Sequence, residues 1–167
     1  EQIQTLASSP QQKACQLAMT AGQLETKTEL LADAGELYQQ VITECPNSPM
    51  AGPDYAGFNV NFIALRQALA SDDLTSATAI AAQIQALASS PQQKAAQLAM
   101  AAGQLETKVE LFSDAAVLYR QVIDEFPDSP FAGPDYAGFR VKIFAFCDAL
   151  ADSNLASAKA IAEDIKA

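Results

Sequence analysis

The side chains best suited to chemistry in this 167-residue chain are three cysteines, Cys15, Cys45 and Cys147, and acidic pairs such as Asp72-Asp73 and Asp124-Glu125. A thiol supplies a nucleophile or a soft metal ligand, and paired carboxylates supply an acid and a base or hard ligands for a cation. Histidine is absent altogether. That removes the usual general base, the commonest metal ligand and the only side chain that titrates unperturbed near neutral pH. The cysteines are widely spaced with no C-x-x-C, so no zinc site or disulfide framework is expected. They read as small buried hydrophobes, with one disulfide or a reactive thiol left open. The acidic pairs fall at expected helix ends, where capping and solvation account for them. Calcium would need a loop richer in alternating oxygen ligands, and Gly52-Pro53 with Gly57 makes neither GxxxxGK[ST] nor GxGxxG. No catalytic residue, no metal and no cofactor is therefore expected, and the chain is not read as an enzyme.

Composition sets the elements that any other activity must use. Half of the residues are hydrophobic, 34 of the chain are alanine, only 7% are aromatic and none is tryptophan. This is the palette of closely packed helices. A net charge of -10 with basic residues dispersed through the sequence would repel a nucleic-acid backbone. No apolar run approaches the roughly 18 to 20 residues that span a bilayer, so membrane insertion is not expected.

The chain repeats itself. LASSPQQKACQLAMTAGQLETK from Leu6 returns as LASSPQQKAAQLAMAAGQLETK from Leu87, and SPMAGPDYAGF from Ser48 as SPFAGPDYAGF from Ser129. The offset is 81, and residues 1–86 and 82–167 agree at 57 of 86 positions without a gap, which marks a tandem duplication. Each cysteine lacks a counterpart: Cys15 matches Ala96, Cys45 matches Phe126 and Cys147 matches Arg66. Cysteine chemistry is therefore not built into the repeat. EQIQT at 1–5 matches AQIQA at 82–86, so residues 1–8 read as the tail of a helix. That stub belongs to a longer array, caps the stack, or docks on the tail of another copy.

Each unit reads as four helices. Ser9-Pro10-Gln11-Gln12 is a capping box with proline at the first helical position, and Ala14, Leu17, Ala18, Ala21 and Leu24 form one apolar stripe. Thr26-Lys27-Thr28-Glu29 reads as a second capping box, repeated at Thr107 to Glu110, ahead of a stripe from Leu31 to Ile42. Pro46 and Pro49 stop that helix. Gly52-Pro53-Asp54 starts a third, whose apolar residues from Tyr55 to Leu69 spread around its circumference, so it is expected to be the buried middle of the unit. Asp72 or Asp73 caps a fourth with the stripe Ala77, Ile80, Ala81 and Ile84. Ser89-Ser90-Pro91 is too short for a tether, so the second unit, 87–167, is expected to stack on the first, 1–86, as one continuous domain.

Gly22, Ala34, Tyr38 and Pro46, and again Gly103, Ala115, Tyr119 and Pro127, follow the spacing of the tetratricopeptide pattern. The stretch LYRQVIDEFPDSPFA from Leu118 resembles the tetratricopeptide repeats of bacterial envelope proteins. Ala18 and Glu25 stand where that pattern has large aromatics, and the segment from Pro53 to about Leu87 does not fit it. The resemblance covers about half of the chain. It implies an all-α solenoid of antiparallel helix hairpins, two stacked four-helix units, whose first helices line a concave surface that holds a peptide. Carried over position by position, that surface would present Gln16, Met19, Gln23 and Lys27 in the first unit and Gln97, Met100, Gln104 and Lys108 in the second. Helical spacing places the same residues on the side away from the Leu17 to Leu24 stripe.

Charge diverges between copies where Asn59 and Asn61 become Arg140 and Lys142. These two basic groups either contact an acidic partner or keep the end of the stack soluble. The expected function is a non-catalytic scaffold that binds a protein or peptide. The alternative is a structural subunit that self-associates end to end through its repeats as a homo-oligomer. The envelope resemblance and Glu1 in place of methionine favour a periplasmic or exported protein in a bacterium, while unpaired cysteines suit a reducing cytoplasm as well.

Overall fold

A computed structural model describes residues 9–166; the stub expected at 1–8 lies outside the described residues. Among them are eight α-helices: α1 (Pro10–Leu24), α2 (Leu31–Glu44), α3 (Ala56–Ala70), α4 (Leu74–Ala86), α5 (Pro91–Leu105), α6 (Phe112–Glu125), α7 (Phe139–Ala151) and α8 (Leu155–Lys166). The described residues contain no strand, as an alanine-rich chain with helical periodicity requires. The chain divides into two compact units, Glu1–Lys94 and Ala95–Ala167. This division falls inside α5 and not at 86/87, where the repeat register changes.

In the first unit α1 packs on α2, α2 on α3 and α3 on α4. Alanine makes the first of these contacts close: Ala14, Ala18 and Ala21 of α1 and Ala34 of α2 are fully buried around Leu17, Tyr38 and Val41. A Cβ at Gly35 would lie 3.5 Å from the Ile63 side chain of α3, an ordinary contact, and the matching site of the second unit is Ala116. The second unit packs α6 on α7 and α7 on α8. Its core exchanges shapes at matching sites. Leu31 and Ile63 become Phe112 and Phe144, which stack with ring centroids 4.8 Å apart, a volume traded for added aromatic contact.

Helix starts follow the sequence in part. Ser9 Oγ accepts the Gln12 N–H at 3.2 Å, and Asp73 Oδ1 accepts the Ser76 N–H at 3.0 Å, as capping predicts. Thr26 differs. Its hydroxyl donates backwards to the Gln23 carbonyl at 2.8 Å, so it closes α1, and a 3₁₀ turn at Thr28–Leu30 precedes α2. Thr107 does the same to Gln104 at 2.7 Å. The third helix also begins later than Pro53, because the Tyr55 and Gly57 N–H groups both converge on the Gly52 carbonyl at 3.1 and 3.0 Å. Its second-unit equivalent, Pro134–Gly138, is a π turn. A Cβ at Gly57 would sit 3.1 Å from that same Gly52 oxygen, which is why this wide turn needs glycine.

α3 is apolar on most sides, and Phe58, Ile63, Leu65 and Leu69 are buried, as expected for a middle helix. Its counterpart α7 is not covered in the same way, since Phe139 and Leu150 are exposed.

Candidate partner-binding site

The expected binding residues divide by environment. On α1, Met19 and Gln23 are exposed and Gln16 is half-buried; Lys27, in the turn that follows, is exposed. The Oε1 atom of Gln16 is shielded from solvent and has no hydrogen-bond partner. Such an acceptor costs stability unless something donates to it. Cys15 lies on this side too, exposed, with its Sγ 3.9 Å from Met19 Sδ.

The same positions on α5 are less open. Gln97 is buried, Gln104 and Lys108 are half-buried, and Met100 alone stays exposed. Identical residue types therefore do not present an identical face: Gln97 belongs to the interior, whereas its counterpart on α1 is half-buried.

Lys94 shows what this burial involves. It is only 8% exposed, yet its ammonium donates to the carbonyls of Ile84, Gln85 and Leu87 at 3.0, 2.6 and 2.7 Å. A cation there completes the carbonyls at the end of α4 and opposes the negative end of its dipole. Lys13, the matching residue, instead pairs with Glu44 on the surface. The periodicity of the sequence gives no signal for Lys94, because both lysines sit in the same motif, SPQQKA.

Arg140 and Lys142 do not act together. Arg140 Nε lies 3.0 Å from Glu106 Oε2, and its guanidinium sits 4.5 Å from the centroid of the Tyr136 ring. Glu106 also accepts the Tyr119 hydroxyl at 3.2 Å. Arg140 is thus committed within the second unit. Lys142 is exposed and pairs with Asp164 at 2.8 Å. Residues two apart on a helix point in different directions, so one joins a packed node and the other faces solvent.

The first unit has the equivalent node without Arg140. The Tyr38 hydroxyl donates to Glu25 at 3.4 Å, and Arg66 reaches the Glu25 carbonyl at 3.3 Å. Burial raises the Glu25 pKa, opposed in part by the Tyr38 hydroxyl and the Arg66 charge. Tyr38 and Tyr119 are both pushed far above the ordinary phenol value, first by burial and then by the neighbouring carboxylate. Neither tyrosine is set up to ionise.

Of the cysteines only Cys45 fits the buried expectation: its thiol donates to the Pro10 carbonyl at 3.2 Å. All three are free thiols. Among the described residues no group of three or more His, Cys, Asp or Glu gathers as a metal site, and no helix is long and apolar enough to cross a membrane.

Four exposed apolar residues among those described carry no signal in the sequence: Val109, Val117, Leu150 and Leu155. Phe139, also exposed, adjoins Arg140, where the copies diverge in charge. No family model, no curated protein and no solved structure matches this chain.

Proposed function

We propose that the chain is a non-catalytic protein-binding scaffold of tetratricopeptide-like helix hairpins, and that it holds a segment of a partner against the open side of α1. The observation that carries this reading is the α1 face itself. A half-buried Gln16, an exposed methionine, an exposed glutamine and an exposed lysine lie in succession, whereas at the matching positions Gln97 is buried and Gln104 and Lys108 are half-buried. Methionine adapts to varied apolar side chains, and the amides offer both donors and acceptors to an extended backbone.

The repeat assignment draws support from the signature positions. Gly22 faces the Tyr38 hydroxyl, with a built Cβ 3.6 Å away, and Gly103 faces that of Tyr119 at 3.7 Å. Ala34, Tyr38, Ala115 and Tyr119 are all buried. Glu25 and Glu106, which replace the aromatic of the tetratricopeptide pattern, accept the tyrosine hydroxyls and so give those substitutions a packing role.

The test is a selection of displayed short peptides on the full chain, compared with the Gln16→Ala, Met19→Ala, Gln23→Ala triple variant. Alanine preserves helicity. Peptides should be enriched on the wild type and lost on the variant at unchanged circular dichroism; equal enrichment on both refutes the assignment of this face.

A further inference from the structure

The first unit contains a joint whose two halves recur separately at other places in the sequence. The Ser90 N–H donates to Asp54 Oδ1 at 2.7 Å, and the Ser89 hydroxyl donates to the Pro53 carbonyl at 3.2 Å. Lys94, one turn further on, donates to the last carbonyls of α4. A carboxylate thus meets the positive start of α5, and the ammonium of α5 meets the negative end of α4.

The donors of this joint have copies 81 residues earlier at Ser9 and Lys13, within the identical sequence SSPQQKA. Of the acceptors, Pro53, Asp54 and Ile84 have copies 81 residues later at Pro134, Asp135 and Ile165, while Gln85 becomes Lys166. Around those acceptors lies an open groove of about 560 Å³, lined by Pro134, Asp135, Phe139, Lys142, Asp164 and Ile165. Apolar exposure follows the same division. Phe58 and Leu69 are each 5% exposed, while their counterparts Phe139 and Leu150 are 44% and 46% exposed.

We propose that the α7–α8 face binds the start of α1 of a second copy of this chain, head to tail, in the geometry seen between residues 84 and 94. This goes beyond the scaffold reading, because it uses the α7–α8 face and the start of α1 and not the face from Gln16 to Lys27. The occupant follows from the sequence: the residues that bond to Asp54 and to the end of α4 in the first unit, Ser90 and Lys94, are the ones that Ser9 and Lys13 repeat. Charge agrees in the main, since Lys13 and the start of α1 are positive and Asp135 and Asp164 are negative, with Lys166 in the last turn of α8 already paired with Glu163. The present partners of these groups, Glu44 for Lys13 and Lys142 for Asp164, are surface ion pairs worth about 0 to 1 kcal/mol each. Exchanging them costs little. Because the two surfaces differ, the contact is heterologous and propagates into chains of copies.

The test is sedimentation velocity on the full chain up to about millimolar concentration, where the weakest specific contacts register. The wild type should form concentration-dependent species larger than dimers. Lys13→Glu, which blocks the head, and Phe139→Asp, which blocks the tail, should each weaken association about tenfold or more. Asp135→Lys is a second tail block at an exposed site, should Phe139→Asp disturb the fold. Mixed together, a head-blocked and a tail-blocked chain retain one good head and one good tail, and should give a 1:1 dimer that grows no further. A monomeric wild type, or a mixture that stays monomeric while the wild type associates, overturns the proposal. Peptide capture on α1 with a monomeric wild type would leave the scaffold reading standing and remove this one alone.

Discussion

Lys94 and Lys13 occupy the same place in the repeat, so replacing each with methionine isolates what burial does to a lysine. Methionine keeps most of the aliphatic stem and removes the ammonium. At Lys94 the change leaves three carbonyls, now 2.6 to 3.0 Å from a donor, without that partner. A buried acceptor left unsatisfied costs about 1 to 3 kcal/mol, and a cation at a partly buried helix end contributes up to about 2 kcal/mol. Against this, the variant no longer carries the desolvation cost of the ammonium, and water can reach part of the exposed chain end. The balance is a loss of about 2 to 4 kcal/mol. At Lys13, among the described residues, a surface pair with Glu44 disappears, a loss of about 1 kcal/mol or less. Urea unfolding followed by circular dichroism measures both, read as midpoint shifts at constant slope. Losses that agree within about 0.5 kcal/mol would refute the claim that Lys94 holds the end of α4.

Glycine substitutions should separate in sign. Gly22→Ala meets only ordinary contact with Tyr38 and should stabilise α1 by about 0.5 to 1 kcal/mol, whereas Gly57→Ala collides with the Gly52 carbonyl and should destabilise by about 1 to 3 kcal/mol; thermal unfolding of both variants checks this. Glu25 has a folded pKa above its ordinary value of 4.5, so the folded chain binds that proton more tightly than the unfolded chain. Its contribution to stability therefore falls as pH rises from the unfolded value through the folded one, and Glu25→Gln should remove that part of the slope in denaturation curves taken from acid to neutral pH. Lys142→Asn, which restores the residue at Asn61, frees the end of α8 and should strengthen self-association in sedimentation; weaker association would count against the head-to-tail contact.

The helices, their order and most of their buried stripes were legible, because periodicity at three and four residues is a direct consequence of one face meeting a core. Ser9 and Asp73 were legible as caps for the same local reason. Thr26 was not. A threonine followed three residues later by glutamate looks the same whether its hydroxyl accepts from the helix ahead or donates to the one behind, and the 3₁₀ turn after it decides in favour of the latter. The binding face was legible only as a spacing. Gln16 and Gln97 share a motif, yet one is half-buried and the other buried, because what covers a helix is decided by residues far away in sequence. The pairing of Arg140 with Glu106 spans 34 residues, beyond any local pattern. The separation of Arg140 from Lys142, by contrast, was implicit in their spacing of two.

The central claim, that the open side of α1 holds another protein, is tested most directly by mapping a peptide enriched on the full chain through backbone amide shifts. The account predicts that the largest changes cluster at Gln16, Met19, Gln23 and Lys27, with little change at the buried Gln97. A cluster on other helices, with α1 unperturbed at saturating peptide, would contradict it.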